Sequence, residues 1–288
     1  MAETRAFTRF KRNRGAALGA GLVVFLIVFA LLAPLLTGFD PNLSDFDRGR
    51  DAIGEPVGPS AVHWLGVDQL FRDQLSRLAH GARISLAVGF VATLLSALVG
   101  TAVGLLSGWT SGTRWAVVDQ ALMGLVDIGL SLPYLVLVMA LGVALGDVSL
   151  TTLLLVLGFT SWFGTARIIR SKVLQLRGLD FIEAARALGQ SDLGIARKHL
   201  LPNVIGPLIV IATAHVAAMI IAESVLSYLQ VGLPPPTATW GRMLQEGQSA
   251  IADRPLLVIA PGVMILLSVL GFNLLGEGLR DALDPNEN

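Results

Sequence analysis

Residues 180–203 read DFIEAARALGQSDLGIARKHLLPN. This charged, helix-forming stretch lies between two long apolar runs, at 148–166 and 200–222. Apolar runs of that length belong in a bilayer, so the stretch joining them is a loop at the membrane surface. Asp180 is placed to N-cap a helix, with Glu183 at capping-box spacing. Phe181, Ile182, Ala185 and Leu188 recur at helical spacing and give one apolar face. Gly189 suits a left-handed C-terminal stop. Ser191 can cap a second short helix, and Pro202 lies just past its end. Each helix spans only about 13 Å, far short of a bilayer. Two short surface helices joined at a glycine are predicted, a structure suited to docking. An ordinary amphipathic interfacial pair carries the same pattern.

Composition agrees with a membrane setting. Of 288 residues, 53% are hydrophobic and 15% charged, against about 25% charged in a soluble domain. Mean hydropathy is +0.69. Net charge is zero, so no global basic signal points to nucleic acid. The absence of cysteine excludes disulfides and thiol catalysis. His63, His80, His199 and His215 show no metal-ligand spacing. No GxxxxGK[ST] run occurs, so this chain has no P-loop to cradle ATP phosphates.

Uncharged runs at 15–39, 84–113, 128–146, 148–166, 200–222 and 255–276 predict six transmembrane helices in an all-α integral membrane protein. The third begins near Trp115, carries Asp119 and Asp127, and is open to kinking at Pro133. With the N-terminus inside, 14 of the 21 lysines and arginines fall on the cytosolic side and 7 outside. That bias makes both termini and the 180–203 stretch cytosolic. Residues 1–14 are then a cytosolic tail, 15–39 a retained first helix rather than a cleaved signal, 40–83 an acidic outer loop and 277–288 a second cytosolic tail. Gly100, Gly104 and Gly108 recur every four residues, the spacing of close helix packing.

Several ordered motifs carry a family resemblance. EAA at 183–185, Gly189 and the Leu201–Pro202 pair reproduce EAA-x3-G-x9-I-x-LP, with His199 at the isoleucine position. The sequence HWLGVDQLFRDQLSRLAHGARISLAVG at 63–89 resembles HLLGTDxxGRDxxSRxxxGARxSLxVG, with Val67 for Thr and Phe71 for Gly. Residues 223–247, ESVLSYLQVGLPPPTATWGRMLQEG, resemble EAxLSFLGLGxxPPTPSWGxML, with Gln230 for Gly. GFNLLGEGLRDALDP at 271–285 is close to AFNLLGDGLRDALDP. The chain thus resembles permease subunits of binding-protein-dependent ABC importers. The HLLPN ending of the first motif is similar to the dipeptide, oligopeptide and nickel branch.

The resemblance implies a type I importer (MetI-like) transmembrane domain over 84–276, five helices behind a first one, with a coupling loop at 171–203. It implies a bacterial inner-membrane location. It implies a second homologous permease, two ATPase subunits that bind ATP and Mg, and an extracytoplasmic substrate-binding protein; this chain itself would hold no cofactor, and no metal or nucleic acid. Glu183 would contact the ATPase, Ala184 and Ala185 would allow close approach, Gly189 would set the bend, and His199, Leu201 and Pro202 would complete the motif. His63, Gly66, Asp68, Arg72, Asp73, Ser76 and Arg77 form the outer-loop motif. Its mixed charges read either as a solvated or internally paired helix, or as a surface that meets the binding protein.

Asp127 and Glu223 fall in or near spans, where ionisable groups are costly and face the bundle interior or a wet cavity. They read as translocation-path residues or as partners of interface polar groups; Asp119 reads as a membrane-edge residue and His215 as a packed one. The functional reading is ATP-driven import of di- or oligopeptides, with nickel, glutathione or another small solute as alternative cargo. A stand-alone secondary transporter would need no such coupling motif, and an enzyme would need a nucleophile–base pair that the sequence does not offer.

Overall fold

In the computed structural model, residues 13–146 and 149–283 are described; of the predicted tails 1–14 and 277–288, residues 1–12 and 284–288 lie outside them, and 277–283 continue the last helix. Arg14–Thr37 forms α1, capped by the Asn13 side chain, which accepts from the Ala16 amide. Helix α2, Gln74–Thr110, is capped by Asp73 through the Ser76 amide. It begins at Gln74 rather than at the uncharged run from 84, because Asp73 supplies the cap and Arg77 and Arg83 find partners inside the fold. Helices α3 (Ala116–Ser131) and α4 (Tyr134–Leu145) are the two halves of the third predicted span. They meet at 93°. Leu132 adopts extended backbone, as the residue before a proline is driven to do. The expected kink is therefore a full break.

The fourth span is α5 (Leu150–Thr160) and α6 (Trp162–Arg177). At the joint, the Thr160 and Ser161 hydroxyls donate to the carbonyls of Val156 (2.6 Å) and Leu157 (2.7 Å), a side-chain competition that loosens a helix locally. The short helices α7 (Asp180–Ala187) and α8 (Asp192–Ile195) follow. A π-helical turn, Ala196–Leu200, leads straight into α9, Leu201–Tyr228. Helix α10 (Trp240–Gly247) precedes the last span, α11 (Leu256–Leu283). Among the described residues, five helices are long and apolar enough to cross a membrane, and the bent α3–α4 pair taken as one span makes a sixth.

The chain has two distinct ends. Residues 38–73 and 229–255 gather at the loop end; α7, α8 and the α2–α3 turn gather at the signature end. Asn13 Nδ2 donates to Asp281 at 2.9 Å, so both described termini also lie at the signature end. The glycine spacing in α2 has the packing role it suggests: a Cβ on Gly100, Gly104 or Gly108 would stand 2.6–2.7 Å from Thr165, Ala166 or Val173 of α6. Arg83 ties α2 to α1 by donating to the carbonyls of Ala30 (2.7 Å) and Leu31 (2.9 Å). At the loop end the indole of Trp240 is fully buried and donates to the Leu78 carbonyl at 3.1 Å. This fixes α10 against α2.

Candidate functional site

The signature end is an apolar plug with a charged outer surface. Ile182, Ile195, Leu200 and Val204 are fully buried against Ile169 and Val173 of α6. Ala185 joins them, so the close approach it permits is to this chain's own helices, while Ala184 is exposed. The predicted single apolar face is split. Ile182 and Ala185 turn inward, whereas Phe181 is 42% and Leu188 88% exposed. Leu193 is exposed beside them. Glu183 and Arg186 stand on the same outer surface.

The cap at α7 differs from expectation. Leu179 occupies the cap position, with no side-chain bond, and Asp180 is the first helical residue. Gly178 ends α6 and Leu179 is already extended, so the next helix starts at Asp180. Asp180 still complements the helix dipole, and Glu183 lies one position past the capping-box site. Gly189 does adopt the left-handed conformation, at φ 78°, and Ser191 does cap α8 through the Gly194 amide. Pro202 does not end the second helix. It sits in the first turn of α9, where a missing N–H is tolerated, and the π turn before it keeps the helix continuous.

His199 braces this end. Its Nε2 lies 3.1 Å from Gln190 Oε1, its ring 5.9 Å from Phe181, and its carbonyl accepts from Asn203 Nδ2 at 2.7 Å. Leu201 packs beside the same plug. Arg177 donates to the carbonyls of Gly108 and Ser111, each at 2.7 Å, and it shares the Trp109 ring with Arg186. The end of α2 is thereby tied to α7.

The outer-loop motif is buried rather than solvated. His63 is fully buried, with Nδ1 2.8 Å from Asp73 Oδ1. Gly66 turns the chain at φ 77° and accepts from the Gln74 amide. The Ser76 hydroxyl donates to the Phe39 carbonyl at 2.7 Å. Asp68 accepts Nε of Arg72 at 2.7 Å, and Glu246 Oε2 accepts from both Arg72 (2.8 Å) and Arg77 (2.7 Å). The charges at Asp68, Arg72 and Arg77 are paired within the chain rather than solvated. Glu246 was not predicted. Its place four residues after Arg242 is the only sequence signal, and its main partners lie far away in the chain.

The two positions where a motif glycine is replaced, Phe71 (φ 60°) and Gln230 (φ 63°), are the non-glycine residues with left-handed backbone among those described. Phe71 packs on Phe46 and under Arg50.

A cavity of about 600 Å³ opens where α3–α4 and α5–α6 break, facing the middle of α9; Gly129, Tyr134, Ser161, Phe163 and His215 line it. His215 is thus a cavity-lining residue as well as a packed one. Asp127 lies one turn toward the signature end from this cavity, ion-paired to Arg167, and both side chains are more than half exposed. Asp119 pairs with Arg170 at 2.7 Å nearby. Glu223 is not on this cavity. It is fully buried between α9 and α2, where it accepts from Ser85 (3.0 Å) and Ser227 (2.7 Å). Hydroxyls within the chain satisfy it.

Comparison with known proteins follows this geometry. The family described as binding-protein-dependent transport system inner membrane component matches residues 100–287. The N-terminal transmembrane domain of oligopeptide transport permease C matches residues 4–52. The chain is 38% identical to the dipeptide transport system permease protein DppC of Bacillus subtilis, over 97% of this chain and 84% of that one. It is 38% identical to the glutathione transport system permease protein GsiD of Pectobacterium atrosepticum, over 98% and 90%. It is 36% identical to the oligopeptide permease OppC of B. subtilis, over 97% and 88%. Among solved structures, the inward-facing MetNI methionine ABC transporter superposes with a TM-score of 0.58 at 22% identity, over 72% of this chain and 96% of that one. The fold is that of a MetI-like ABC importer permease.

Proposed function

This chain belongs to the family of inner-membrane components of binding-protein-dependent transport systems, and we propose that it forms half of the translocation path of an ATP-driven importer of short peptides. The signature end is its cytosolic face and the loop end its outer face. A second, related permease supplies the other half of the path. Two ATPase subunits hold ATP and Mg, and one of them receives α7. This chain hydrolyses nothing.

One observation carries the reading. Helix α7 is anchored from within by Ile182 and Ala185 yet presents Phe181, Glu183, Arg186 and Leu188 outward. A short helix held firmly on one side and bare on the other is a docking foot, which fits a chain that lacks its own P-loop. The exposed Asp127–Arg167 pair supports the permease partner. An ion pair within a span cannot face hydrocarbon cheaply, so that face of α3 and α6 turns to the path or to the second permease. Alternating access is then a two-state equilibrium biased by nucleotide and by the loaded binding protein.

The cargo reading rests on relatives named for dipeptides, oligopeptides and glutathione, all short peptides. In the assembled complex, Glu183→Arg combined with Gly189→Pro should abolish transport and uncouple ATP hydrolysis from it; intact coupled transport would sink the docking role. Mass spectrometry of the ligand carried by the cognate binding protein tests the cargo. A metal ion there, in place of peptide, overturns the peptide reading and leaves the importer.

A further inference from the structure

The charge cluster at the loop end does more than hold two segments together. Residues 68–77 and α10 enclose a cavity of about 470 Å³. Three guanidinium groups, from Arg72, Arg77 and Arg242, meet two carboxylates there, from Asp68 and Glu246. Glu246 is saturated, with one oxygen on Arg72 and Arg77 and the other on Arg242 Nε at 3.1 Å. Asp68 is spent on Arg72 and on two backbone amides. Arg242 gives up only Nε; its terminal amino groups make no hydrogen bond among the described residues. The cavity therefore keeps one positive charge in surplus and a guanidinium fork free to take a carboxylate in bidentate fashion.

We propose that this cavity receives an acidic side chain of the substrate-binding protein when that protein docks. Charge complementarity favours a carboxylate. None of its lining residues is shared with the cavity at the broken spans, which argues for a docking partner rather than cargo in transit. Its rim, from Gln69, Gln245 and Ser249 around an exposed Leu70, has the polar-rim composition of a transient interface. Arg72 and Arg77 join residues 68–77 to α10 through Glu246, so a carboxylate inserted beside them competes with Glu246 and loosens the two outer segments as the partner seats.

The inference rests on the importer reading, and the test separates the two. The complete complex in nanodiscs is titrated with peptide-loaded cognate binding protein, and the concentration that half-saturates ATPase stimulation is read at low and raised salt. Arg242→Gln should raise that concentration about tenfold, a loss of about 1.4 kcal/mol, and flatten its salt dependence. Gln245→Glu, which breaks no internal bond of the cluster, should raise it as well, and Gln245→Lys should lower it. Stimulation that half-saturates equally in all variants and the unaltered complex overturns the inference and leaves the importer intact. No stimulation of the unaltered complex overturns both.

Discussion

At the loop end Asp68, Arg72, Arg77 and Glu246 are largely buried and bonded to one another, whereas at the signature end Glu183, Arg186 and Arg197 stand in solvent around a plug of isoleucines. The two ends are held by different physics. Buried ions give a lock that is stiff only while every partner is present. Buried aliphatic groups give an anchor that tolerates changes on its outer face. The first suits a scaffold, the second a surface whose outer chemistry must stay free.

The lock breaks most severely at its shared acceptor. Glu246→Ala leaves Arg72 and Arg77 to share Asp68 alone and should cost about 3 kcal/mol, the low side for a broken buried pair, read as a lowered unfolding temperature in detergent. At the other end, Ile182→Ala should cost about 2–3 kcal/mol, the low side for a buried isoleucine because a two-turn helix can settle. Limited proteolysis between α6 and α9 should detect it first. Gly189→Ala meets open space, so only its left-handed backbone is penalised, by about 1–2 kcal/mol, with coupling impaired beyond that loss. The smallest effect is expected at Gln230→Gly. Relief of a left-handed side chain, offset by the freedom glycine gains in the unfolded chain, leaves about 0.5 kcal/mol of stabilisation. An equal gain from Phe71→Gly would mean that its packing on Phe46 contributes nothing.

The spans and the signature turn were legible because they rest on local rules. Apolar length marks a crossing, Gly189 marks a left-handed stop, and Ser191 marks a cap. Pro133 announced a bend, yet its angle depends on what α4 packs against, which no local rule contains. Burial of the 68–77 charges was illegible for the same reason. Arg77 finds Glu246 across 169 positions, and only the folded chain brings an acid there. The Asp180 cap failed by one residue, the ordinary margin of a helix end. The glycine replacements at 71 and 230 were visible as departures, and their shared backbone conformation gives them one physical meaning.

The π turn at Ala196–Leu200 joins α8 and α9 into one helical stretch, Asp192–Tyr228, of 37 residues and about 55 Å along its axis, with Pro207 inside it. One side of the foot is thus a jointed link, through Gly178 and Leu179 to α6. The other is the butt of a shaft that runs the full depth of the chain and ends beside Glu223 and α10. Thus α8 and the Trp240 joint sit at the two ends of one helical stretch, and Pro207 is the point where a push at one end can bend it before reaching the other.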